Sequence, residues 1–169
     1  MSTNPKNKYS PQQLREIFDY DAITGVLRWR GSHSKGPITG GEIAGCLKNS
    51  GYIRIQYQRG MLLAHRVAWA IHYGEWPKGC IDHKNRNPGD NRICNLRECS
   101  HSQNMMNRTK SSNNKSGFKG VYKDKNAFRA EINVHGKRVR LGRYPTAKEA
   151  SEAYINAAKS SHSNFACYE

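Results

Sequence analysis

The 169-residue chain has no apolar run approaching the roughly 18 to 20 residues that cross a bilayer, and Met1 to Tyr9 is polar, without the apolar centre of a secretory signal. Neither a membrane partner nor export is expected. Acidic residues are scarce: 13 Asp and Glu stand against 28 Lys and Arg, a formal net charge of +15. Hydrophobic residues make up only 36%, too few for one large core, although Trp, Tyr, Phe, Ile and Leu recur often enough to exclude full disorder. Several small cores are the expected solution. The five cysteines, Cys46, Cys80, Cys94, Cys99 and Cys167, are an odd number without a C-x-x-C pair. That argues against a disulfide framework and for a reducing cytoplasmic setting.

Positive charge is what the chain has in excess, and both ends share it. Residues 1–114 hold 17 basic and 8 acidic side chains, and residues 115–169 hold 11 and 5. A polyanion is the natural partner, because each phosphate neutralised releases condensed counterions. Residues 108–117, RTKSSNNKSG, carry no apolar side chain and read as a linker. The expected division is 1–108, a linker at 109–117, and 118–169.

In the first part, Ser10-Pro11-Gln12-Gln13 predicts a capped helix through Leu14, Ile17 and Phe18. A hairpin turning at Thr24-Gly25 follows, then strands at Ile43 to Leu47, Tyr52 to Tyr57 and Met61 to Leu63. Leu63, Val67, Ala70 and Ile71 mark one face of a core helix over Leu62 to Tyr73, stopped by Gly74. Trp29, Trp69 and Trp76 read as core anchors. His65-Arg66 beside that helix reads equally as a phosphate contact or a polar cap.

In the last part, Phe128, Ala130, Ile132 and Val134 alternate with Arg129, Glu131, Asn133 and His135, the pattern of a half-buried strand. His135-Gly136 predicts the turn, and the return strand places Val139 and Leu141 inward and Arg138 and Arg140 outward. Val121-Tyr122 supplies a third strand. Thr146 and Glu149 open a helix with a small-residue stripe at Ala147, Ala150, Tyr154, Ala157 and Ala158. The outward cluster of Arg129, Arg138, Arg140 and Arg143 is repulsive unless an anion answers it.

The chemistry-bearing residues fall between Trp76 and Arg108: Asp82-His83, Asn95 twelve residues past the histidine, and Asn104 nine further. The reading is a strand ending at His83, a polar loop at Asn87 to Asp90, a short strand at Ile93 to Arg97, and a helix from Ser100 capped with Gln103. On that ββα unit, at about 76–108, Asp82 and Asn104 offer hard oxygen ligands to one divalent ion. His83 is placed to take a proton from water, with Asn95 holding its ring. Cys80, Cys94, Cys99 and His101 lack a close cysteine pair, so structural Zn²⁺ is not expected and buried thiols are.

These residues resemble the HNH nucleases, in particular phage and intron-encoded HNH endonucleases of the H-N-N variant. The resemblance implies His83 as general base, Asn95 as the residue that orients it, and Asp82 and Asn104 as metal ligands, with His101 one turn earlier the other candidate. It implies Mg²⁺, or Mn²⁺ in its place. The last residues resemble an AP2/ERF DNA-binding domain through Gly117-Phe118-Lys119-Gly120-Val121, Lys137-Arg138-Val139-Arg140-Leu141-Gly142 and the helix start at Thr146. That resemblance implies a sheet face of Lys119, Tyr122, Glu131, Asn133, Arg138, Arg140 and Arg143 against double-stranded DNA, with Arg140 where a tryptophan is usual. Arg129 is expected on the same face.

The expected fold is α+β: a ββα-metal (HNH) nuclease domain followed by a three-stranded antiparallel sheet with one helix. The expected function is metal-dependent DNA endonuclease activity of the homing or phage type, in the cytoplasm of a bacterium or phage-infected host cell. A monomer is favoured and an oligomer left open. The alternatives are a non-catalytic DNA-binding regulator with a relic nuclease domain, and a toxin-like nonspecific nuclease.

Overall fold

The computed structural model describes residues 8–31, 40–111, 113–134, 136–162 and 165, so Cys167 and half of the His135-Gly136 turn lie outside the described residues. The chain divides into two compact units, Met1–Cys99 and Ser100–Glu169.

The first unit opens with a reciprocal cap. Gln13 N donates to Ser10 Oγ at 3.2 Å, and Ser10 N donates to Gln13 Oε1 at 2.8 Å. Helix α1 (Pro11–Ile17) follows, with proline in its first turn. Strands β1 (Phe18–Tyr20) and β2 (Leu27–Trp29) pair antiparallel. Strands β3 (Cys46–Leu47), β4 (Ile53–Tyr57) and β5 (Gly60–Leu63) form a sheet in that order. Because β5 runs through Leu63, helix α2 (Ala64–Tyr73) starts two residues later than its apolar spacing suggested, and it ends at Gly74 in the left-handed region. Strands β6 (Cys80–His83) and β7 (Leu96–Cys99) complete the unit as a separate antiparallel pair.

The expected strand at Ile93 to Arg97 is corrected in its first half. Ile93–Asn95 is a single 3₁₀ turn, because Ile93 N donates away to Ala22 O and Asn95 N closes back on Arg92 O. Leu14, Phe18, Ile55 and Val67 are fully buried in the main core, where truncating any one to alanine costs about 2–5 kcal/mol. A smaller core of Ala68, Ile81 and Leu96 sits under β6 and β7. Trp29 is buried, while Trp69 and Trp76 pack half-buried on these cores.

The second unit begins with α3 (His101–Met106), again behind a reciprocal Ser100–Gln103 cap. Strands β8 (Val121–Asp124), β9 (Ala127–Val134) and β10 (Lys137–Tyr144) form an antiparallel sheet with β9 central. Helix α4 (Ala147–His162) opens on the Thr146–Glu149 pair. Its stripe buries Ala150, Tyr154 and Ala158 against Val121, Ala130 and Ile132. Gly120 makes this approach possible: a Cβ there would lie 2.2 Å from the Tyr154 ring, and its φ of +70° favours glycine independently.

Two positions depart from the alternation. Val139 stays 42% exposed because β10 is an edge strand, whereas its register partner Ile132 is buried under α4. Glu131, on the polar face, is 6% exposed. The polar segment at 109–117 is locally bonded: Asn114 Oδ1 accepts from Ser116 N and Gly117 N, both at 2.9 Å.

Candidate active site

The register of β6 and β7 sets the site: Asp82 faces Arg97 and His83 faces Leu96 across the ladder. Alternation sends Asp82 and His83 to opposite sides, yet both are buried, at 4% and 5% exposure. His83 Nε2 lies 3.4 Å from Asn91 Oδ1. An amide oxygen only accepts, so in this arrangement Nε2 carries the proton and Nδ1 keeps the lone pair. Burial holds the imidazole below its ordinary pKa, partly offset by the Asn91 contact and the nearby Asp82 and Asp90 charges. The ring is therefore neutral at neutral pH, the state a general base requires.

Asn95 does not hold this ring directly. Its Nδ2 donates to Asp90 O at 2.8 Å and its Oδ1 accepts from Asn85 N at 2.9 Å, so it ties together the two ends of the loop between the strands. Its amide geometry matches two backbone groups at once, and the loop then delivers Asn91 to the histidine. Asp90 strengthens the same loop by accepting from Arg92 and Asn85, and the Arg92 bonds hold its carboxyl at about 2.

Sequence spacing did not single out Asn91 as the ring partner. It is 2% exposed, and its carbonyl accepts from Tyr20 Oη at 2.8 Å. Burial, then the Asp21 charge, raises the Tyr20 phenol, so it remains a donor. Gly25 touches the loop from the β1–β2 turn: a Cβ there would lie 2.4 Å from Arg92 N and 2.6 Å from Asn91 C.

Asp82 is ion-paired. Arg97 Nε and Nη2 both reach Asp82 Oδ2 at 2.7 Å, with side-chain exposures of 16% and 5% for the arginine and aspartate. Asn104 sits half-buried on α3, and His101 is exposed at the start of that helix; both belong to the second unit. Among the described residues, no group of three His, Cys, Asp or Glu side chains is placed to hold a metal ion. The donor chemistry of Asp82 and Asn104, a carboxylate and an amide oxygen, fits a hard divalent cation. Such a cation would meet Arg97 already at the Asp82 carboxylate. Cys80 and Cys99 are register partners, Cys99 Sγ lies 3.6 Å from Cys80 O, and burial pushes the Cys99 thiol up to about 11.

In the second unit, the register aligns Tyr122 with Arg129, Arg129 with Arg143, Glu131 with Arg140, and Asn133 with Arg138. All these positions share one sheet face. Buried Glu131 anchors it, with Arg129 Nε at 2.8 Å, Arg140 Nε at 3.6 Å and Arg138 Nε at 3.7 Å. Arg138 and Arg140 remain 75% and 77% exposed. Lys119 is set apart: its Nζ donates to Met106 O at 2.7 Å and so closes the end of α3.

Residues 62–106 match the sequence model of the HNH endonuclease family. The match runs from the end of β5 through α3, including the Asp82–His83 strand end, and supports an HNH nuclease domain acting on nucleic acid. No curated protein and no solved structure matches the chain. Among the described residues, no helix is long and apolar enough to cross a membrane.

Proposed function

We propose that the chain is a metal-dependent DNA endonuclease of the homing or phage HNH type, its site chosen partly by the face of the second unit's sheet. The observation that carries this reading is a buried, neutral His83 held by Asn91 at the end of β6, inside the matched segment. In it, His83 takes a proton from a water as that oxygen attacks phosphorus in line with the 3′ oxygen. The P–O3′ bond breaks and the departing 3′ oxygen takes a proton from solvent, leaving a 5′-phosphate and a 3′-hydroxyl. Asn91 fixes the ring, and Asn95 fixes the loop that carries Asn91. Asp82 and Asn104 would hold a divalent cation, Mg²⁺ or Mn²⁺, which as a Lewis acid offsets negative charge on the phosphate and the leaving oxygen.

Lys119, Tyr122, Arg129, Asn133, Arg138, Arg140 and Arg143 supply the DNA-facing side chains, with Glu131 spacing the arginines. This division assigns the nuclease part to 1–108 and the DNA-reading part to 118–169. Incubating the full chain with supercoiled plasmid, with and without Mg²⁺, tests the proposal: metal-dependent conversion to open-circular or linear DNA is expected. The occupied Asp82–Arg97 pair favours one second reading, a DNA-binding regulator with a relic nuclease domain, which predicts binding with no conversion under either condition.

A further inference from the structure

His65 has no part in the chemistry described so far, yet it lies beside the proposed base. It is the second residue of α2, 5% exposed, on a turn fixed by its neighbour: Arg66 Nη1 donates to Gly79 O at 3.0 Å and Nη2 to Pro77 O at 3.3 Å. Its ring centroid is 5.2 Å from that of His83 in an edge-to-face arrangement and 5.3 Å from that of Tyr52. Tyr52 in turn lies 5.9 Å from His83, so three rings close one cluster. His65 Nδ1 is buried and has no hydrogen-bond partner among the described residues. A buried polar nitrogen without a partner works against folding, and leucine would fill similar space without that penalty.

We propose that His65 is a second catalytic imidazole of this site, donating its Nδ1 hydrogen to a nonbridging oxygen of the phosphodiester that His83-activated water attacks. The proposal rests on the reading of His83 as base. Burial, with the neighbouring His83 and Arg66 charges, drives the His65 pKa down to about 3. The ring is thus a neutral donor throughout the working range and adds no positive charge beside the base. Such a donor gains most as negative charge grows on the phosphate oxygens, so its effect belongs in kcat rather than KM.

The test uses the full chain, supercoiled plasmid and Mg²⁺. H65L is expected to lose on the order of a hundredfold in kcat, the scale of one preorganised donor, with KM little changed and the melting temperature equal or higher. H65N sets an amide nitrogen near the Nδ1 position and should recover on the order of tenfold of that loss. Undiminished kcat in H65L overturns the proposal. So does an equal defect in both variants accompanied by lower melting temperatures, the mark of a purely structural ring. Should neither variant fold, the ¹⁵N resonance of His65 Nδ1 in the unaltered chain decides: it should move when a short mixed-sequence duplex is added without metal, and a fixed resonance overturns the assignment. H83A, assayed in parallel, keeps the two failures apart, since cleavage by H83A removes the base and leaves the H65L and H65N comparison to be judged by itself.

Discussion

Both units use the same cross-strand device, an acid facing an arginine, with opposite results. In β6–β7 one aspartate faces one arginine, both largely shielded from water, and the pair is electrically closed. In β9–β10 one buried glutamate is shared by three arginines, two of them mostly exposed, so positive charge is left over on the surface. A closed pair keeps a buried site neutral beside a base, whereas an open cluster keeps a face attractive to phosphates. In the proposed function the same residue chemistry would serve catalysis or docking according to stoichiometry and burial.

The strongest way to separate the two regions is His83→Ala. It should lower cleavage by on the order of 10²–10⁴-fold while DNA affinity stays within a few-fold, because in the proposed mechanism the imidazole acts in the chemical step. Plasmid conversion and filter binding measure the two effects, and intact cleavage would remove His83 from the mechanism.

Arg97→Ala tests the closed pair. Leaving the buried Asp82 carboxylate alone should cost about 3 kcal/mol of stability. Added Mg²⁺ should return part of that loss in the variant and much less in the unaltered chain, as read from melts with and without the ion. No difference in metal response would argue against Asp82 as a ligand.

A smaller effect concerns acid. His65 has its pKa lowered on folding to about 3, so between roughly 6.5 and 3 the unfolded chain binds a proton that the folded chain refuses. Its contribution is fully present above 6.5 and falls by about 1.4 kcal/mol for each pH unit below it, or about 2 kcal/mol at pH 5. Urea midpoints at pH 7 and pH 5 should show that slope, and His65→Leu should flatten it.

The most narrowly confined effect belongs to the open cluster. Arg140→Ala should cost about 1–3 kcal/mol at one position of the DNA site if the side chain reads a base. If it contacts phosphate, it should weaken all sequences alike and reduce the salt slope by about one. Affinities for variant duplexes across a salt series distinguish these outcomes.

What the sequence disclosed was local. The three caps at Ser10, Ser100 and Thr146 each need only a pair of residues three apart, and all are made. The alternation from Phe128 to Val134 likewise located a strand with one buried face. Burial of Glu131 was not legible, because it depends on arginines brought in by another strand and a register that shifts between Arg140 and Gly142. The stretch that spacing marked by Asp82, His83 and Asn95 lies inside the segment that matches the nuclease family, but Asn95 bonds Asn85 and Asp90 instead of the ring it was expected to hold. A loop that folds back can place Asn91 nearer the ring than a residue at the expected interval. The Asp82–Arg97 pair was hidden for the same reason, since its register is set only once the loop has closed. His65 lay undecided between two surface roles, and only tertiary packing shows it buried against His83.

The β1–β2 turn bears on portability. Tyr20 and Gly25 hold the loop carrying Asn91, one by a hydrogen bond and one by offering no side chain, and both precede the segment that matches the nuclease family. Residues 62–106 transplanted alone would carry every residue proposed for the chemistry and lose the brace that holds Asn91 at the His83 ring. The unit that sequence comparison detects is therefore shorter than the unit of mechanical support, and a graft of this site would have to start upstream of β1.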